Sequence, residues 1–142
     1  MTVSYNCREQ LCIDTAPGPG AIVIFGASGD LTKRKLLPAI FALYKRNLLP
    51  EQFAVVGVAR TAMTNEEFQE EVRQSLKGEG TLDESFVERF SYVSGQYTEP
   101  DTFARLDEEL ERVTGQHGTE HNALFYLAMP PTMFEPIVKG LH

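Results

Sequence analysis

Along this chain, short continuous runs of apolar residues alternate with longer stretches in which apolar residues recur every third or fourth position. Ala21-Ile22-Val23-Ile24-Phe25 is the first run, rich in β-branched residues and ended by Gly26. Phe53 to Ala59 and Leu124 to Ala128 are two more, and Phe90 to Ser94 is a weaker one. Runs without polar alternation suit strands buried on both faces, as in a parallel sheet. Between the first two runs, Leu36, Leu37, Ile40, Phe41, Tyr44 and Leu48 form a stripe at helical spacing, which predicts a helix over about 31–48. Pro38 lies inside it and predicts an early-turn position or a kink, because proline has no N–H to donate.

Local signals place the other helices. Thr64-Asn65-Glu66-Glu67 is a capping box opening a helix to about Lys77. Thr81-Leu82-Asp83-Glu84 repeats the signature and predicts a shorter helix to about Arg89. Pro100 occupies a first-turn position of a charged helix to about Thr114, followed by a polar loop from Gly115 to Asn122. Thr132 is the expected cap of a last helix containing Phe134, Ile137, Val138 and Leu141. Strand and helix alternate throughout, which predicts an α/β fold: a doubly wound, Rossmann-like parallel sheet with helices on both faces. Residues 1–20 read as a flexible leader and 21–142 as the folded domain. No strand follows the last helix before His142, so an incomplete domain is expected. A free sheet edge and uncovered apolar helix faces would leave it marginal or prone to aggregate.

Composition narrows the function classes. The chain has 142 residues, 42% of them hydrophobic, enough for one domain with a core. A net charge of -7 argues against a nucleic-acid-binding surface, which needs clustered Lys and Arg. No apolar run is long enough to span a bilayer, and the first twenty residues lack the apolar core of a signal peptide. A cytoplasmic protein is the expectation. Cys7 and Cys12 both lie in the leader, without nearby histidines, and read as reduced thiols rather than a metal site.

The informative chemistry lies in Phe25-Gly26-Ala27-Ser28-Gly29-Asp30-Leu31-Thr32-Lys33-Arg34, between a buried strand and a helix. Gly26 allows a sharp turn, and Gly29 lets the backbone approach a ligand. The amides of Gly26 to Leu31, including Ala27, and the positive end of the following helix then face a pyrophosphate. Ser28 and Thr32 add hydroxyls and Lys33 a charge, whereas Asp30 reads as a helix cap. The G-x-x-G spacing is not the full G-x-G-x-x-G fingerprint, so its position carries the argument. Arg60 follows the second strand directly, where an acidic residue would hold the ribose 2′-hydroxyl of NAD. A guanidinium there matches a 2′-phosphate, so the expected coenzyme is NADP.

Taken together, these residues resemble the glucose-6-phosphate dehydrogenase family. The resemblance rests on Gly26-Ala27-Ser28-Gly29-Asp30-Leu31 followed by Thr32-Lys33-Arg34-Lys35-Leu36-Leu37-Pro38, on Val56-Gly57-Val58-Ala59-Arg60, on Phe90 to Tyr97, and on Phe125-Tyr126-Leu127-Ala128-Met129-Pro130-Pro131-Thr132. It covers roughly residues 20–142 and implies oxidation of glucose 6-phosphate to a 6-phosphogluconolactone by NADP+, within the pentose phosphate pathway. It implies that Gly26 to Lys33 hold the coenzyme pyrophosphate, that Arg60 holds the 2′-phosphate, and that Met129 and Pro130 line the coenzyme cleft. A homo-oligomeric parent enzyme is likewise implied. The family's Glu-Lys-Pro-Phe-Gly substrate segment and later histidine base do not occur here, so no catalytic residue is assigned and coenzyme binding alone is expected of this chain.

Other residues invite functional readings that simpler ones displace. His117, His121 and His142 read as exposed loop or terminal histidines rather than metal ligands. The acidic clusters Glu66, Glu67, Glu70, Glu71 and Asp107 to Glu111 read as solvated helix faces. A non-catalytic NADP-binding module, or a truncated product without function, are the alternatives to a dehydrogenase domain. A short-chain dehydrogenase fits less well, because its Tyr-x-x-x-Lys pair does not occur.

Overall fold

The apolar runs become strands because helices remove both faces of the central ones, and one face of the last, from water. The computed structural model describes residues 19–118, 122–129, 132 and 134–141. Within them β1 (Gly20–Phe25), β2 (Phe53–Ala59), β3 (Phe90–Ser94) and β4 (Ala123–Leu127) form one parallel sheet in the order β3-β2-β1-β4. β2 is buried at all seven positions. The chain steps from β1 to β2 to β3 in one direction, then crosses back to place β4 on the far side of β1. That reversal makes a switch point between β1 and β4, and doubly wound sheets bind ligands in the crevice outside the carboxyl ends of the strands at such a point.

Two apolar layers sandwich the sheet. On one face Ile24, Val55 and Phe90 pack under α1 (Leu37–Lys45), α2 (Asn65–Ser75) and the short α3 (Glu84–Val87). On the other Val23, Phe25, Val56 and Val58 pack under α4 (Pro100–His117) and α5 (Phe134–Leu141). Strand periodicity produces this split, since successive side chains point to opposite faces. β4 is covered on one side only: Leu124 and Tyr126 are exposed, as are Val138 and Leu141 on α5.

The capping box at Thr64 forms as the sequence predicts. Thr64 Oγ1 accepts the Glu67 amide at 3.1 Å, and the Glu67 carboxylate accepts the Thr64 amide at 2.9 Å. Pro100 is in the first turn of α4. Two expectations need correction. The helix after α2 starts at Glu84 with Asp83 as its cap, because the Asp83 carboxylate takes both the Ser85 amide (3.0 Å) and the Tyr44 hydroxyl (2.7 Å); Thr81 does not cap it. α4 runs to His117, so His117 ends a helix rather than sitting in an exposed loop, and Gly118 stops it at φ +70°. Pro38 takes the early-turn position the sequence predicts, in the first turn of α1, just after the five residues Thr32–Leu36 that form a wider π turn. There the Leu37 amide reaches back to the Thr32 carbonyl, and the proline falls where an unpaired donor is already tolerated. His121, His142, Cys7, Cys12 and the first 18 residues of the leader lie outside the described residues.

Candidate coenzyme-binding crevice

The loop after β1 is shaped by bonds to both neighbouring strands. The amides of Gly26 and Ala27 donate to the Val58 carbonyl of β2 at 2.8 and 3.2 Å. The Ala128 amide, just past β4, donates to the Phe25 carbonyl at 2.8 Å. Gly26 has φ +89°, and a Cβ there would lie 2.5 Å from the Ala128 carbonyl oxygen. Only glycine fits that angle and that approach without strain. Gly29 folds the loop back by donating to the Gly26 carbonyl at 3.0 Å, and Lys33 opens the helix by donating to Gly29 at 3.2 Å. This pattern leaves over the amides of Ser28, Asp30 and Leu31, at the mouth of the crevice. Unpaired amides at a helix start attract an anion, an effect of about 0.3–1 kcal/mol when exposed.

The residues singled out in the sequence take different places around this loop. Ala27 is buried and packs against Gly57, where a Cβ would come within 2.7 Å of Ala27. Thr32 is fully buried, and its hydroxyl donates to the Gly26 carbonyl at 3.0 Å, so it braces the loop from beneath. Ser28 stands at the rim with its hydroxyl 3.4 Å from that of Thr61. Leu31 is exposed. Asp30 is exposed as well, 4.0 Å from Arg34, and makes no cap bond; the Thr32 hydroxyl and the Gly29 amide fix the helix start instead. Lys33 Nζ lies 3.3 Å from Glu71 on α2, which already offsets its charge. Met129 is half-buried, with its methyl 3.5 Å from the site of a Gly26 Cβ. Pro130 lies outside the described residues.

Arg60 is exposed at the end of β2, beside the loop. Its charge reaches the Tyr97 hydroxyl, which donates to the Val58 carbonyl at 3.3 Å. Burial pushes Tyr97 above the usual phenol range, against the opposing pull of the Gly26 amide and Arg60. Sequence reasoning missed Tyr92. Its hydroxyl donates to the Thr61 carbonyl at 2.5 Å, and burial raises its pKa to about 12. The one signal that could have found it is an aromatic with a polar tip on a buried strand.

The arrangement gathers, within one crevice, a glycine turn with free amides, a helix start and an exposed guanidinium. That set fits a dinucleotide: amides for a pyrophosphate and a planar cation for a further phosphate. At the other end of the sheet, His117 is half-buried, and burial, aided by Arg89 and Arg112, lowers its pKa below the ordinary histidine value. It sits at the carboxyl end of α4 and has no part in the crevice. Among the described residues no helix is long and apolar enough to cross a membrane.

Comparison with known proteins agrees with this geometry. A family model described as "Glucose-6-phosphate dehydrogenase, NAD binding domain" matches residues 23–142. The glucose-6-phosphate 1-dehydrogenase of Chlamydia muridarum is 40% identical over 131 residues, which are 87% of this chain and 26% of that protein. That of Schizosaccharomyces pombe is 39% identical over 129 residues, covering 86% and 25%. A solved structure of glucose-6-phosphate dehydrogenase in complex with its substrate glucose-6-phosphate superposes with a TM-score of 0.76 at 33% identity, covering 89% of this chain and 28% of the other. The enzyme from Mycobacterium avium superposes at 0.70 with 30% identity, covering 87% and 26%. The chain spans about a quarter of the length of the curated relatives it matches. It belongs, over the segment that carries the crevice, to the NAD-binding domain of the glucose-6-phosphate dehydrogenase family.

Proposed function

We propose that this chain is the coenzyme-binding part of a cytoplasmic, homo-oligomeric glucose-6-phosphate dehydrogenase, with residues 21–142 as the binding domain and NADP+ as the coenzyme. Bound coenzyme supplies the hydride acceptor for C1 of glucose 6-phosphate, which leaves as a 6-phosphogluconolactone. The chain's own residues bind and orient. The amides of Ser28, Asp30 and Leu31 hold the pyrophosphate at the helix start, on a turn that Gly26 and Thr32 fix from below. Met129 lines the β4 side of the crevice. Lys33 contributes less than its charge implies, because Glu71 pairs with it. Removing the C1 hydroxyl proton requires a base within hydrogen-bond reach, and no residue of this crevice is given that role. Sugar oxidation is therefore a proposal for the longer protein, and coenzyme binding the proposal for this chain.

The observation that carries NADP over NAD is Arg60, exposed at the end of β2 in the place where NAD-binding sheets keep an acidic residue. Replacing Arg60 with alanine removes charge-assisted hydrogen bonds of about 1.5–3 kcal/mol, or roughly 10- to 150-fold in affinity. A titration of the Arg60→Ala chain should show that loss for NADP+ and little change for NAD+. Unchanged NADP+ affinity would remove Arg60 from the site.

A further inference from the structure

Arg60 stands at the start of an irregular connection, Arg60 to Thr64, between β2 and α2. An exposed arginine on such a segment selects a ligand only if its backbone is held still, because ordering a loose loop on binding opposes the affinity gained. The connection is tied near both its ends by two bonds from one residue. Tyr92, on the edge strand β3, sends its hydroxyl to the Thr61 carbonyl at 2.5 Å and its backbone amide to the Asn65 side-chain carbonyl at 2.9 Å. The end of β2 before it is tied where the Gly95 amide donates to the Ala59 carbonyl at 3.0 Å.

Tyr92 is itself fixed. It is 7% exposed, and its ring packs against Phe68 with centroids 5.2 Å apart. Phe68 is wholly buried and fills the space that a Cβ at Gly57 would occupy. A buried ring whose hydroxyl reaches the Thr61 carbonyl and also meets the Ser28 side chain is a rigid strut. The strut meets the connection at Thr61, whose own hydroxyl is 3.4 Å from Ser28 on the β1 loop. The two rims of the crevice are thus referenced to each other through Thr61.

We propose that Tyr92 is a positioning residue for recognition of the coenzyme's 2′-phosphate: by holding the Thr61 carbonyl and Asn65, it fixes the connection that presents Arg60. The inference rests on the coenzyme assignment above and adds a residue that touches no ligand. A loss of this strut should weaken binding of the 2′-phosphorylated coenzyme and spare the form that lacks the phosphate. A merely structural role for Tyr92 would weaken both alike.

The test is calorimetric titration of the wild-type, Tyr92→Phe and Asn65→Ala chains with NADP+ and NAD+, with circular dichroism to establish folding. The expected result is a 5- to 20-fold loss for NADP+ in Tyr92→Phe, with NAD+ affinity within twofold of wild type. Asn65→Ala should shift in the same direction by a smaller factor, and it decides the matter should Tyr92→Phe not fold. Equal losses for both coenzymes, or an unchanged ratio, would overturn the positioning role. A wild-type chain without preference for NADP+ would overturn the coenzyme assignment itself, which separates the two failures.

Discussion

Gly26 and Gly78 have the same backbone angle and opposite surroundings, and the pair isolates what the crevice demands of its loop. Both have φ +89°. A Cβ at Gly26 would meet the Ala128 carbonyl oxygen at 2.5 Å, whereas one at Gly78 would meet nothing within 4 Å. At either site alanine adopts a left-handed angle at about 1–2 kcal/mol. It recovers about 0.4–1 kcal/mol through a less flexible unfolded chain. Gly78→Ala should therefore cost roughly 0–1.5 kcal/mol. At Gly26 the methyl must also push a backbone carbonyl that is held by the Ala128-to-Phe25 bond, a close-packing strain of about 1–3 kcal/mol. For a domain of this size each kcal/mol lowers Tm by about 3 °C. Thermal denaturation followed by circular dichroism should thus place Gly26→Ala about 3–9 °C below Gly78→Ala. Equal shifts in the two variants would refute the claim that the loops after β1 and β4 are in backbone contact.

Thr64→Ala removes a complete capping box and should cost about 1 kcal/mol in urea denaturation. Above pH 10 an unfolded tyrosine ionises, while Tyr92 keeps its proton to about pH 12 and Tyr97 is raised in the same direction. The folded chain then binds more protons than the unfolded one, so stability present below pH 10 is lost as pH rises. Absorbance at 295 nm should show these tyrosines ionising only after the exposed ones, and simultaneous ionisation would contradict the burial of both hydroxyls. His117 gives the opposite slope: with its folded pKa lowered, stability present above pH 6.5 is lost as pH falls through the folded value. His117→Gln should remove that part of the pH dependence of Tm.

What the sequence made legible follows the range of the interaction involved. Apolar runs and helical stripes reveal their own burial, so the strands at Val55 and Phe25 and the stripe through Ile40 and Phe41 emerge with the right faces. The Thr64 capping box is a contact over three residues and is readable for the same reason. At Thr81 an identical local signature fails, because Asp83 has a partner 39 residues away in Tyr44 that no local pattern announces. The crevice divides in the same way. Gly26 and Arg60 are marked by their places at strand ends. That Thr32 is a buried brace, that Glu71 takes up Lys33, and that Tyr92 struts Thr61 depend on which segments the sheet order brings together. Asp30 resembles a cap by position, but its carboxylate points to solvent near Arg34 and takes no helix amide.

The central claim is that this crevice holds NADP+, and backbone amide chemical shifts test it residue by residue. In a nitrogen-15-labelled chain titrated with NADP+, the largest shifts should fall on Ser28 to Leu31 and on Arg60 and Thr61, saturating at lower concentration than with NAD+. Shifts confined to other parts of the chain, or none at all from a folded sample, would contradict the account.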